Sequence, residues 1–306
     1  VLSLESDIEV GDPVRVGPVD AFPVFGPTAT SEGYLTSVAG AGSGLLVCEE
    51  LNPPDLGTVI ATNLAQVPIL LPAGTLLVGG AQSRVVSTGV LCPPRSVVMV
   101  AVSGVEARRW GPLGPLSPTD RSAPGSVRAA LAATLVRDPA EHEVCVADQE
   151  AVWRACAALA LDGAGDADLC ASVEATAARL RPDLDRLVPL EGQTGVVCAI
   201  GSRVVGMDLF DRPAVLARHL AGIVAGHALD APRIGPAPGE PAVDEVGRFL
   251  GLVDGTECTQ LPGAGDAGGF RLEGLVTGVG LDLDGEILQL SAFPHLRAPT
   301  PAPLRT

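Results

Sequence analysis

The stretch Gly192–Asp211, GQTGVVCAIGSRVVGMDLFD, sets two apolar runs on either side of a Gly201-Ser202 turn and ends on two carboxylates, Asp208 and Asp211. Runs of this length, rich in β-branched residues and broken by Gly-Ser, predict a buried β-hairpin that delivers acids to a strand end. Pro213 follows at what would be the first position of a helix reaching about Ala228. Before the hairpin, helical spacing predicts three helices, over Ser126–Arg137, Asp148–Leu161 and Ala167–Arg181, the last stopping before Pro182. After it come a Pro/Gly-rich loop at Arg233–Pro241, a helix at Val243–Leu252, and strands Gly269–Asp282 and Glu286–Ala292 joined by Leu283-Asp284-Gly285. The Pro-rich tail after Pro294 is expected to fray.

The first third of the chain has a different texture. Gly57–Asn63, Val67–Leu71, Thr75–Gly79, Arg84–Leu91 and Ser96–Val105 are short apolar runs between Gly and Pro breaks, which predicts strands, with Pro93–Ser96 as a hairpin turn. One short helix fits Leu35–Gly44, with Thr36 as its cap. Gly111–Gly125 holds four prolines and three glycines and is expected to be a surface connection. The resulting expectation is an α+β protein: a β-rich N-terminal half, residues 1–115, packed on a C-terminal half of helices and β-hairpins, residues 116–306.

Composition narrows the chemistry. All 20 basic residues of the 306 are arginine, a usage that a GC-rich genome favours and that excludes Schiff-base, lysine-base and P-loop lysine chemistry. A net charge of −16 opposes binding to nucleic-acid polymers, while leaving room for a small phosphorylated ligand clamped by one or two arginines. Seven widely spaced cysteines without a CxxC pair read as buried thiols of a reduced compartment, neither a disulfide framework nor a zinc site. No apolar run approaches membrane-spanning length and no secretory pattern opens the chain, so the expectation is a cytoplasmic protein that makes no membrane contact. Homo-oligomers remain open, and no cofactor is indicated.

Phe22–Pro27, Gly80–Val85, Ser103–Trp110, Gly192–Asp211 and Leu288–Pro294, in this order and spacing, resemble a bacterial family of uncharacterised biochemistry named for genomic association with ADP-ribosylglycohydrolases and rhodanese-phosphatases. That resemblance implies a nucleotide or ADP-ribose-like ligand, held between the two halves, and names no reaction. The chain also departs from the family pattern. Where relatives resemble an acidic Asp-Gly-Glu-Glu ahead of Lys-Gln-Asn-Arg, it has Ala73-Gly-Thr-Leu76 and Ala81-Gln-Ser-Arg84, and Gln289 stands where a histidine is common.

Candidate site residues follow. Arg84 or Arg109 would clamp an anion, Gln82 would assist, Glu106 would act as base or hydroxyl acceptor, and Trp110 would stack on a ring. The structural alternative for the same residues is an Arg–Glu pair and an anchoring tryptophan. Asp208 is the second acid/base candidate, and Asp211, just ahead of Arg212-Pro213, is expected to cap the helix. No metal site is expected, because His142, His219, His227 and His295 form no HxxxH or HExxH pair. GxSxG is absent, and the glycines at 40–44 and 263–269 lack a strand-GxGxxG-helix setting. Beside the ligand-binding enzyme stand two alternatives: a non-catalytic partner or scaffold, and a biosynthetic enzyme of specialised metabolism with a repurposed pocket.

Overall fold

The computed structural model of the protein describes residues 1–4, 8–26, 28, 33–107, 109–138, 144–159, 168–235, 243–262 and 265–295. His142, Arg108 of the Ser103–Trp110 segment, most of the expected loop at 233–241, and the tail from 296 on lie outside the described residues. In chain order the elements are β1 (Glu9–Val10), β2 (Val14–Val16), β3 (Val19–Phe25), β4 (Leu35–Thr36), α1 (Ser37–Gly42), β5 (Leu46–Glu50), β6 (Thr58–Asn63), β7 (Ile69–Leu71) and β8 (Thr75–Gly79). Then come β9 (Arg84–Val86), β10 (Val90–Cys92), β11 (Ser96–Gly104), β12 (Pro115–Ser122), α2 (Gly125–Thr134), β13 (Val136–Arg137), β14 (Cys145–Val146), α3 (Gln149–Ala157) and α4 (Leu169–Leu184). The chain closes with β15 (Gln193–Ile200), β16 (Arg203–Phe210), α5 (Pro213–Ile234), α6 (Val243–Val253), β17 (Glu257–Leu261), β18 (Gly268–Glu273), β19 (Val276–Leu283) and β20 (Glu286–Pro294). The class is α+β with a β-rich N-terminal half, as expected.

The hairpin at Gly192–Asp211 forms as β15 and β16 and occupies the middle of a nine-stranded sheet, in the order β1-β3-β15-β16-β20-β19-β18-β17 with β2 also paired to β3. Both faces of this sheet are covered, which is why its central strands are apolar at nearly every position. On β15, Val196 and Cys198 face α4 and α5, while Val197 and Ala199 face α6. Strand alternation thus feeds two cores from one run. The N-terminal strands β1–β3 belong to this sheet, β3 pairing along most of β15, so sheet membership crosses the division expected near residue 115.

Residues 46–122 build a closed barrel, β11-β6-β5-β12-β8-β9. Here alternation is of the half-buried kind: Val59 and Ala61 on β6, and Val100 and Val102 on β11, fill the interior, while Val97 and Met99 point outward. The Pro93–Ser96 turn forms, but it joins strands of different sheets, since β10 pairs β7 and β11 pairs β6 and β9.

The connection expected at Gly111–Gly125 is instead largely the barrel strand β12. Pro115 is tolerated as the first residue of the strand, and Pro118 borders the stretch up to Ser122 where the ladder to β8 is irregular. Helices also outrun their prolines. α4 passes Pro182 to bury Leu184, and α5 passes Pro232; apolar burial at these final turns offsets the lost hydrogen bond. The expected strand at 269–282 breaks at Gly274-Leu275 into β18 and β19, and β17 went unread because its Glu-Cys-Thr-Gln composition carries no apolar period.

All seven cysteines are free, and burial pushes the thiols of Cys48, Cys92 and Cys156 up to about 12. No described helix is long and apolar enough to cross a membrane.

α5, 22 residues long, is the element that ties barrel to sheet. Its outer glycines lie directly on β12: a Cβ added at Gly222 would sit 2.0 Å from the Asp120 carbonyl oxygen, and at Gly226 2.8 Å from that of Ser122. Gly222→Ala is therefore expected to lower stability by about 2–3 kcal/mol through backbone overlap. Gly247→Ala, on the open side of α6, should be neutral or raise it by up to about 1 kcal/mol. Urea denaturation midpoints of the two variants measure the contrast.

Candidate functional site

The β15–β16 ladder shifts register between Cys198 and Ala199, and from there Asp208 emerges on the helix side of the sheet, 1 % exposed. α2 presents Arg128 to it from an otherwise apolar face that includes Val127 and Leu131. The guanidinium donates twice, NH1 to Oδ1 at 2.6 Å and NH2 to Oδ2 at 3.1 Å, and lies 5.0 Å from the Phe293 ring centre. Ser291 on β20 donates its hydroxyl to Asp208 Oδ1 at 2.6 Å. His227 of α5 completes the cluster with Nε2 3.0 Å from Arg128 NH2. Since a guanidinium only donates, Nε2 is the acceptor and the ring proton sits on Nδ1, which has no partner. Burial, then the neighbouring Arg128 charge, hold His227 well below the usual histidine range.

Two turns earlier on α5, His219 stacks on Phe210 at 5.6 Å, and burial pushes it down to about 4 against the pull of Asp120 and Asp208. Asp211 does not cap α5. Arg212 occupies the cap position without a side-chain bond, and the Asp211 carboxylate instead accepts the Tyr34 hydroxyl and pairs with Arg212 Nε at 3.1 Å. Burial raises the Asp211 pKa, with Tyr34 and Arg212 opposing.

The other expected site residues gather at one end of the barrel. Glu106 is buried, accepts the Ser83 amide at 2.9 Å and receives Arg109 NH1 at 3.1 and 3.2 Å. Gln82 donates Nε2 to the carbonyls of Glu106 and Arg109, at 2.5 and 2.9 Å. Arg84 is fully buried and pairs with Glu50 at 3.2 Å, a partner that sequence spacing did not suggest, while NH1 donates to the Gln82 carbonyl at 2.7 Å. Its burial pushes the Arg84 pKa down, against Glu50, Asp55 and Glu106. Trp110 is 54 % exposed, 6.0 Å from the Arg84 guanidinium. These residues lie together, but no described hydrogen bond or ion pair joins Glu106 or Arg109 to Asp208. They form two separate networks.

Beside the Asp208 cluster opens a cleft of about 500 Å³. One flank of α2 (Ser126, Ala129, Ala130), the end of α5 (Asp230, Arg233) and the strand ends carrying Arg203, Phe293 and His295 line it. These residues are all C-terminal to the Pro-rich segment, so this cleft is not the inter-half cleft expected from sequence. Asp230 Oδ2 accepts the Ser126 amide at 3.0 Å, which satisfies one N–H at the start of α2. Oδ1 has no hydrogen-bond partner, and neither does the Ser126 hydroxyl. Burial raises the Asp230 pKa, with the Ser126 contacts opposing. Among the described residues no three His, Cys, Asp or Glu side chains are grouped to hold a metal ion.

The sequence profile of the ARG and Rhodanese-Phosphatase-superfamily-associated Protein domain, ARPP-1, matches residues 7–293. The chain belongs to this family. No curated protein and no solved structure matches it. Within the ARPP-1 fold the motif segments serve distinct places: Gly80–Val85 and Ser103–Trp110 meet at the barrel end, while Gly192–Asp211 and Leu288–Pro294 pair as β16 and β20, Asp208 opposite Ser291. Ala73 and Gln289, both expected from sequence to depart from the family pattern, touch each other. Ala73 N donates to Gln289 Oε1 at 2.8 Å, and Gln289 Nε2 donates to Ala73 O at 3.1 Å. Beside them, against Asp208 and Arg128, only about 10 Å³ is open.

Removing either charge of the Arg128–Asp208 pair strands the other in the core, so Asp208→Asn and Arg128→Met should each cost about 3–5 kcal/mol. Arg128→Met/Asp208→Leu should cost less than the sum of the single changes, as a double-mutant cycle by chemical denaturation would show. The histidines predict an acid limb. His219 ionises near 4 when folded and near 6.5 unfolded, so between those values the unfolded chain binds more protons and stability falls as pH drops from about 6.5 to about 4. Asp211 and Asp230, raised by burial, slope the opposite way, so the comparison is with His219→Gln, whose melting temperature should lose less over the same interval.

Proposed function

We propose that this ARPP-1 protein binds a small anionic ligand of the nucleotide or ADP-ribose class in the cleft between α2, the end of α5 and the ends of β16, β19 and β20. The cleft itself carries the proposal. Its volume is in the range of small-molecule sites, and its lining combines apolar Ala129, Ala130 and Phe293 with polar Ser126, Asp230, Arg203 and Arg233. Arg203 and Arg233 supply the charge that a phosphate needs, locally and against the acidic whole. The ligand class takes its further support from the gene association recorded in the family's name.

Binding without turnover is the reading favoured by the second observation, the closed contact of Ala73 with Gln289. Asp208 has its lone pairs committed to Arg128 and Ser291, and Glu106 to Ser83 and Arg109, which suits anchoring better than proton transfer. Titration calorimetry with AMP, ADP-ribose and inorganic phosphate tests the binding proposal. One of the organic phosphates should bind, Ala130→Trp, which fills the cleft, should abolish that binding, and Arg109→Ala at the barrel end should leave it unchanged. Loss on Arg109→Ala with retention in Ala130→Trp would move the site to the barrel.

A further inference from the structure

We infer that Asp230 and Ser126 form the hydroxyl-reading end of this cleft, taking the vicinal diol of a phosphorylated sugar or nucleotide whose anionic group lies toward Arg203. The inference rests on the cleft being the ligand site and says which end of the ligand goes where. Asp230 is 3 % exposed, yet it lines the cleft with one oxygen uncommitted. The Ser126 hydroxyl beside it is likewise buried and without a partner. Leaving such atoms unpaired costs about 1–3 kcal/mol each, a cost that a ligand bringing donors would remove. A carboxylate oxygen accepts a hydroxyl, and an adjacent serine hydroxyl can donate to or accept from a second one, so the pair matches two neighbouring hydroxyls.

The surrounding field selects neutral donors over a cationic group. Arg233 NH1 lies 3.9 Å from Asp230 Oδ1, too far for a hydrogen bond and close enough to balance its charge. The first amides of α2 add positive potential from the other side, and one of them, Ser126 N, already bonds Asp230 Oδ2. An ammonium placed there would face an arginine and a helix N-terminus. The mouth is suited to the opposite charge. Arg203 is exposed, makes no described ion pair or hydrogen bond, and offers an anion its guanidinium. Ala129, Ala130 and Phe293 add apolar lining for a ring.

The test is calorimetric, with ribose 5-phosphate, 2-deoxyribose 5-phosphate, AMP and 2′-deoxyAMP as probes, the first pair standing for a free sugar phosphate and the second for a nucleotide. At least one ribo compound should bind about tenfold or more tightly than its deoxy counterpart. Asp230→Asn, which keeps an oxygen for the Ser126 amide, should shrink that ratio to less than about threefold, and Ser126→Ala should reduce it independently. Arg203→Ala should weaken both members of a pair by a similar factor. Equal binding of ribo and deoxy compounds, or a ratio unmoved in both Asp230→Asn and Ser126→Ala, overturns the diol inference; if Ala130→Trp still blocks binding, the cleft proposal survives that result. Binding that persists in Ala130→Trp overturns both. Silence of all four probes at about 1 mM overturns the diol inference.

Discussion

A single ion pair, Arg128 to Asp208, sets the terms for the rest of the molecule. It joins α2 to β16, and through Ser291 and His227 it reaches β20 and α5, so four elements far apart in the chain meet at one satisfied charge pair. Such a pair adds little net stability compared with apolar residues of similar volume, because desolvation consumes most of the Coulombic gain. Its effect is on register. Asp208 faces the helices while Met207 and Leu209 face α6, and a one-residue slip of β16 would drive the carboxylate into that apolar layer. The bulge at Cys198/Ala199 and the Arg128 partner therefore belong to one solution.

The same geometry explains where the open space lies. Arg128 is drawn inward toward Asp208, so the next turn of α2 offers only Ala129 and Ala130 outward, and small side chains there leave the cleft unfilled. At the helix start, Gly125 admits His227, whose ring would meet an added Cβ at 2.6 Å. By contrast, the space next to Asp208 on the barrel side is taken up by Ala73 and Gln289 bonding each other. One side of the ion pair is closed by an amide contact, and on the other the alanines of α2 border the cleft.

Much of this was legible in the sequence wherever a local signal sufficed. The 192–211 hairpin, the Asp284-Gly285 turn, the Thr36 cap and most barrel strands are written in apolar period and turn residues. β12 was not, because its pairing comes from barrel closure and its prolines argue the other way. The site was legible in part. Gln82, Glu106, Arg109 and Trp110 do cluster, yet Arg84 takes Glu50, 34 residues upstream, and no spacing rule selects that partner. Asp208 was singled out from its strand, whereas Arg128, Ser126 and Asp230 were missed. An arginine inside the apolar stripe of α2 is the one signal that could have flagged the first. Asp230 carries none, because its importance lies in an oxygen left over after capping a helix 104 residues away.

α5 lies against β12 of the barrel, β15 and β16 of the large sheet, and both α2 and α4. Its amides are therefore protected by neighbours from every layer at once. An opening that freed the barrel or the sheet alone would have to strip this helix of half its cover while the remainder held it in place. Partial opening is correspondingly disfavoured, and hydrogen exchange along the middle of α5 is tied to the loss of the whole structure. The glycines that let the helix settle onto β12 thus make the barrel and the nine-stranded sheet come apart together or not at all.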